Sequence, residues 1–129
     1  MRGSMTEAIR AIEAHSPIRI EVEPELRARL AELAAGRPIV IDHFASYRCG
    51  ATIGDLRVRF GADLSPTPVA ELDSVDDVRV VAEIDILPIL AGGAEVRLAG
   101  PSFAPHLALS LTRPEAWLDF LHTHPHRRR

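Results

Sequence analysis

Apolar and charged residues alternate along several short stretches of this chain, which is the pattern of strands with one buried face. At 18–22 and 55–60, Ile, Val, Leu and Phe alternate with charged residues. The run PIVIDHF at 38–44 is instead continuously apolar and rich in β-branched residues, which favours an interior strand. The pattern predicts six strands in all: 18–22, 38–44, 55–60, 78–85, 94–100 and 106–111.

Two other stretches have the spacing of amphipathic helices. In 24–35, a proline suits the first turn, three leucines share one face and Gly36 ends the run. In 113–123, Trp117 and Phe120 lie on one face, together with a leucine, behind another proline that suits a first turn. We therefore expect one helix at 24–35 and a second at 113–123.

The predicted strands follow one another too closely for repeated crossover helices, so the expected class is α+β, a small domain built on a mixed β-sheet. A chain of 129 residues is about one domain. MRGS at 1–4 is typical of an expression-vector leader, and 6–14 is typical of a lead-in helix or a frayed end. We expect the domain to span 5–122 and a flexible tail to follow at 123–129.

The composition argues against two classes of partner. The formal net charge is −3, so the chain has no basic excess to neutralise nucleic acid or an anionic membrane surface. It also has no apolar run near the roughly 20 residues that a membrane helix needs. The single cysteine fits a reducing compartment, and we expect a cytoplasmic protein.

That cysteine, Cys49, lies in SYRCGATIGD at 46–55, which we interpret as a loop. Arg48 supplies a neighbouring cation, while Gly50 and Gly54 permit a backbone that turns its N–H groups inward. Both features would lower the pKa of the thiol and make it reactive. The alternative is a small buried residue that only fills space.

Histidines are the candidate partners of Cys49 in a thiol or metal site. His43 precedes it by six residues and follows Asp42, but adjacent strand residues point to opposite faces, so Asp42 is not expected to orient His43. Cys49 with His43 or His106 offers too few ligands for a closed zinc site. Two chains at a twofold axis could pool these residues to share zinc or an iron–sulfur cluster, which predicts a homodimer.

Two further stretches have weaker signals. Alternating histidines in the tail, at 122, 124 and 126, are interpreted as solvated residues with adventitious metal affinity. The acidic stretch at 71–77 lacks the ligand spacing of a calcium loop, and is expected to be a polar loop.

The order of elements resembles the A-type iron-sulfur carrier family, the HesB-like proteins, over 18–111. The stretches that carry the resemblance are IRIEVEPELRARLAELAAGRPIVIDHFASYRCG and VRVVAEIDILPILAGGAEVRLAGPSF. The resemblance implies a HesB-like topology, and it matches Cys49 to the family's first cysteine. The family's closing Cys-x-Cys pair corresponds to SLTR at 110–113.

Three functions follow from these residues. The first is a thiol-dependent accessory or carrier protein, in which Cys49 holds a metal, an iron–sulfur cluster or sulfur and His43 assists. The second is a metal-free binding module, in which Cys49 is structural and the surface around PSFAP at 101–105 and ILPIL at 86–90 binds a partner. The third is a Cys–His enzyme.

Overall fold

A computed structural model of the protein describes residues 12–15, 17–48, 51–61 and 68–123. These residues form two mixed β-sheets and several short helices, which confirms the α+β class. In chain order, the described elements are β1 (Ile12–His15), β2 (Glu21–Val22), α1 (Pro24–Arg27), α2 (Leu30–Ala34), β3 (Ile39–Arg48), β4 (Ala51–Phe60), β5 (Val69–Glu71), β6 (Val80–Glu83), a 3-10 turn (Ile84–Ile86), α3 (Leu87–Ala91), β7 (Ala94–Ala99), β8 (His106–Leu111) and α4 (Glu115–Thr123).

The larger sheet has five strands in the order β1-β5-β6-β3-β4, and the smaller has three in the order β2-β7-β8. Within the larger sheet, β3 is antiparallel to β4 and parallel to β6. Within the smaller sheet, β7 is antiparallel to β8 and parallel to β2. The edge strands β4 and β8 lie where the two sheets meet.

The hairpin of β3 and β4 is longer than the sequence predicts. Pairing runs from Ile39 opposite Phe60 to Arg48 opposite Ala51, so the stretch at 46–55 is strand on both sides and the predicted loop is wrong there. Continued pairing satisfies the backbone N–H and C=O groups of both strands, and this decides between strand and loop. Cys49 and Gly50 lie outside the described residues.

The helix predicted at 24–35 is two short helices. Arg29, with φ −115° and ψ 7°, interrupts it between α1 and α2. The N–H of Arg29 donates to the carbonyl of Leu26 at 2.9 Å, which is the tighter i to i−3 bond of a 3-10 turn. Leu26 and Leu30 are nevertheless both buried, as their spacing predicts.

Other predicted boundaries also change. Residues 12–14 belong to β1, not to a helix, because they pair in parallel with β5. Strand β5 at Val69–Glu71 was not predicted; it pairs with β6, the next strand along the chain, and with β1, which is distant in the sequence. The strand predicted at 18–22 is reduced to β2. The predicted leader, the start of the lead-in helix, most of the loop at 61–68, and the tail histidines His124 and His126 lie outside the described residues.

The main core lies between the two sheets and the helices. Alternation in β3 directs Ile39 and Ile41 into this core, whereas Val40 packs with Val69 and Val81 in a separate cluster. Helix α4 closes one end with Trp117 and Phe120, as its spacing predicts. Within the part of the chain that the structure describes, no helix has the length and apolar character to cross a bilayer.

Candidate functional site

His43 is held by a buried carboxylate. It lies on β3 just beyond the pairing with β6, and Glu83 is the last residue of β6. The backbone N–H of His43 donates to Glu83 Oε1 at 3.1 Å, and the ring Nδ1 donates to the same oxygen. The Glu83 side chain is only 6% exposed, so this pair is shielded from water.

Two aromatic side chains of α4 cover the imidazole. The His43 ring centroid lies 5.9 Å from that of Trp117 and 5.3 Å from that of Phe120, and both contacts are edge-on. Trp117 and Phe120 stack on each other at 5.5 Å. The imidazole therefore ties β3 and β6 to the C-terminal helix, and it belongs to the packed interior.

The surroundings raise the pKa of His43 above its ordinary value. The hydrogen bond to Glu83 is the largest cause, burial opposes it, and the negative charge of Glu83 adds to the rise. More distant carboxylates, Asp85 and Asp42, act in the same direction. The protonated imidazolium is thus the favoured form beside the Glu83 carboxylate.

Asp42 points away from His43 and has its own partners, as strand alternation predicts. Arg57 binds its two carboxylate oxygens with Nε at 3.1 Å and Nη2 at 3.2 Å, and Arg59 Nη2 adds a contact at 3.3 Å. The guanidinium of Arg57 also lies 5.6 Å from the ring centroid of exposed Phe44. This is a charged outer surface of the sheet.

The structure separates His43 from the end of β3 that precedes Cys49. Arg48 follows His43 by five positions of extended strand, which is roughly 16 Å at the usual rise of a strand. His43 is bound to Glu83, and the described residues do not test a pair between it and Cys49. Gly54 lies within β4 opposite Ala45, so it is part of the hairpin ladder.

His106 has different neighbours from His43. It is exposed at the start of β8, and its ring packs against Gly100, which has a φ of +88°. A Cβ atom at Gly100 would lie 2.7 Å from Nδ1 of His106, so this position requires glycine. Among the described residues, no three His, Cys, Asp or Glu side chains are grouped so that they could hold a metal ion.

His106 lines two cavities along the edges of β4 and β8. One has a volume of about 310 Å³ and extends to α2, and the other has a volume of about 470 Å³ and is formed by the two strands alone. Val58, Arg59 and Leu107 line both. Both cavities therefore lie at the junction of the two sheets.

Arg37 lies beside the smaller cavity, and sequence reasoning missed it. Its Nε donates to the carbonyl of Ala34 at 2.9 Å and its Nη2 to that of Leu33 at 2.9 Å, so it binds the end of α2. The guanidinium also lies 5.6 Å from the ring centroid of Phe60. An arginine directly after a helix-ending glycine was the available signal, because such cations often bind the last carbonyls of a helix.

The corner between β7 and β8 presents an aromatic side chain to solvent. Residues 101–105 are all exposed, and Phe103 is 88% exposed. The N–H of Ala104 donates to the carbonyl of Pro101 at 2.9 Å, which closes a turn around Phe103. The other predicted surface, ILPIL at 86–90, instead supplies Ile86, Ile89 and Leu90 to the core.

The chain matches no protein family profile, no curated protein and no solved structure. The resemblance to the HesB-like proteins therefore stays a prediction. The assignment of a function rests on the geometry of the described residues.

Proposed function

We propose that this protein is a metal-free binding module that presents Phe103 to the apolar pocket of a partner protein. The observation that carries the proposal is the 88% exposure of Phe103 on a corner that the rest of the fold holds in place. A large aromatic side chain at the surface contributes little to folding, but buried aromatic residues dominate the binding energy of many interfaces.

The corner is suited to this role because internal contacts define its conformation. The hydrogen bond from Ala104 to Pro101 fixes the turn, and two prolines flank Phe103. Behind it, the ring of His106 packs against the backbone of Gly100, where a side chain would clash. A segment that keeps one conformation loses less entropy on binding, so more of the contact energy appears as affinity.

A photo-crosslinking experiment tests the proposal. A photoreactive phenylalanine analogue replaces Phe103 in the expressing cell, and the matched control carries it at Leu118, which is 54% exposed on α4. We expect a discrete cross-linked product from position 103 and none of the same mass from position 118. A product of twice the chain's mass identifies a second copy as the partner, and equal labelling at both positions contradicts the proposal.

A second candidate, a carrier protein that uses Cys49, is supported by the length of the β3–β4 hairpin. Strand β3 pairs with β6 only over Ile39–Ile41, but its pairing with β4 continues to Arg48 opposite Ala51. In the sequence, Cys49 comes directly after Arg48, the last paired residue of β3. We therefore keep the carrier, in which this thiol would hold the cargo, as the second candidate.

The rate of alkylation by iodoacetamide tests the carrier. A thiol activated by Arg48 should react at neutral pH faster than free cysteine, and Arg48→Ala should slow it. Metal and sulfur analysis after anaerobic purification provides the second measurement, with Cys49→Ser as the control that removes cargo and keeps the fold. An inert native thiol in protein without metal or bound sulfur rejects this candidate.

A further inference from the structure

The smaller cavity at the sheet junction has apolar walls. Its volume is about 310 Å³, and its walls come from α2, β4, β7 and the start of β8. Ligand pockets in proteins range from roughly 300 to 1,000 Å³, so this one suits a ligand of about ten non-hydrogen atoms. The apolar side chains that line it are Leu33, Val58, Phe60, Leu98 and Leu107.

The polar side chains that line the cavity are Arg37, Arg59 and His106, and the described lining contains no carboxylate. Arg59 is paired with Asp42, so of the two arginines Arg37 is the one whose charge no described carboxylate balances. This differs from the chain as a whole, which has a formal net charge of −3. An apolar cavity with one unbalanced arginine and no acidic side chain in its described lining is complementary to a ligand that has an apolar body and one negative charge.

Arg37 is the fixed cation of this cavity. Six other described arginines form ion pairs with carboxylates, whereas the described part of the chain provides no such partner for Arg37. Its Nε and Nη2 donate hydrogen bonds to carbonyls at the end of α2, and the contact of its guanidinium with the ring of Phe60 limits rotation of the side chain. Its Nη1 takes part in neither hydrogen bond, so it remains available as a donor to a ligand oxygen.

We propose that this cavity binds a small organic acid, with its apolar body against Leu33, Val58 and Leu107 and its carboxylate at Nη1 of Arg37. His106, at the mouth of the same cavity, provides a second polar contact for the carboxylate. This inference goes beyond the proposed function, because it names a small-molecule site that does not require Phe103 or a protein partner.

Calorimetric titration with octanoate tests the site. For a ligand of this size, a dissociation constant between about 10 µM and 1 mM is expected. Octanamide, which has the same body without the charge, should bind at least about tenfold more weakly, because hydrogen bonds to charged groups are stronger than those to neutral groups. Equal affinities of octanoate and octanamide, or no binding of octanoate, overturn the proposal.

Matched variants place the ligand in the cavity. Arg37→Gln should weaken octanoate binding at least about tenfold, whereas Arg29→Gln, an exposed arginine outside the cavity, should leave it unchanged. Leu33→Trp, which fills the cavity from α2, should abolish binding while circular dichroism shows a folded protein. If Arg37→Gln does not fold, the proposal is tested with Arg37→Lys and Leu33→Trp. Full octanoate affinity in Leu33→Trp overturns the proposal.

Two further experiments test whether the cavity binds a small acid or the end of a peptide, and whether binding depends on Phe103. A pentapeptide that ends in leucine has the same apolar group and free carboxylate, and binding of this peptide without binding of octanoate overturns the assignment to a small acid. Phe103→Ala tests independence from the proposed function. Unchanged octanoate affinity in this variant supports a separate site, and lost affinity contradicts it.

Discussion

The charged side chains of His43 and Arg37 differ in whether a neighbouring carboxylate balances them. The imidazole of His43 lies under two aromatic rings of α4 and is bound to the buried carboxylate of Glu83. The guanidinium of Arg37 is bound more weakly, by helix carbonyls and an aromatic ring, and no described carboxylate balances its charge. A charge balanced inside the fold stabilises the protein, whereas an ordered and unbalanced charge beside a cavity is suited to a ligand.

The largest expected effect comes from removing the carboxylate that balances His43. Glu83→Ala leaves the backbone N–H and the ring of His43 without their acceptor in a buried place. Breaking a buried pair in this way should lower the free energy of unfolding by about 3 kcal/mol. Glu71→Ala is the matched control, since its pair with Arg79 is partly exposed, and it should cost less than about 1 kcal/mol.

Denaturant unfolding of the two variants gives this comparison directly. A loss in Glu83→Ala no larger than that in Glu71→Ala would mean that the Glu83 carboxylate does not stabilise the interior. In that case the contrast between the two charged regions would no longer hold.

The next effect concerns the support of the cavity that contains Arg37. Gly100→Ala places a Cβ atom 2.7 Å from His106 Nδ1 at a backbone φ of +88°. We expect a loss of about 2 kcal/mol, because both the positive φ and the displaced ring cost free energy. Gly36→Ala, also at positive φ but with no atom within 4 Å, is the control and should cost less. Equal losses would show that the His106 contact contributes nothing.

A smaller effect is expected in the pH dependence of stability. The folded-state pKa of His43 is raised by Glu83, so the imidazolium binds its proton more tightly in the folded protein than in the unfolded chain. This contribution is fully present below about pH 6.5 and is lost as the pH rises through the raised folded pKa. The free energy of unfolding should therefore fall as the pH rises from 6 to 9.

His43→Gln is the control for the pH measurement, and it should flatten the curve above pH 6. The groups with lowered pKa, Asp76 and Glu115, act in a different window, because their contribution is lost as the pH falls. An identical slope in the parent and in His43→Gln would assign the pH dependence to other groups.

The smallest effect on stability should come from Arg37 itself. Arg37→Gln removes two exposed or partly buried hydrogen bonds to helix carbonyls, so its loss should be about 0.5 kcal/mol, similar to that in Arg29→Gln. A loss as large as that of Glu83→Ala would make Arg37 a structural residue. A change in ligand affinity with a nearly unchanged melting temperature in Arg37→Gln would most clearly distinguish Arg37 from His43.

The sequence alone determined what depends on neighbouring residues. Alternation at 106–111 predicts β8 with the bounds that the structure has, and helical spacing places Trp117 and Phe120 on the buried face of α4. Alternation also predicts that Asp42 and His43 point to opposite faces of β3. These results follow from the period of a strand or helix, which is a local property.

Tertiary structure decided which distant residues meet. Glu83, the partner of His43, is 40 residues away, and no local pattern connects the two. The cavity beside Arg37 likewise exists only because β4 and the start of β8 come together against α2. Pairing within the β3–β4 hairpin also makes 46–48 and 51–54 strands and not the predicted loop, because each strand supplies the other with hydrogen bonds that the side-chain pattern does not specify.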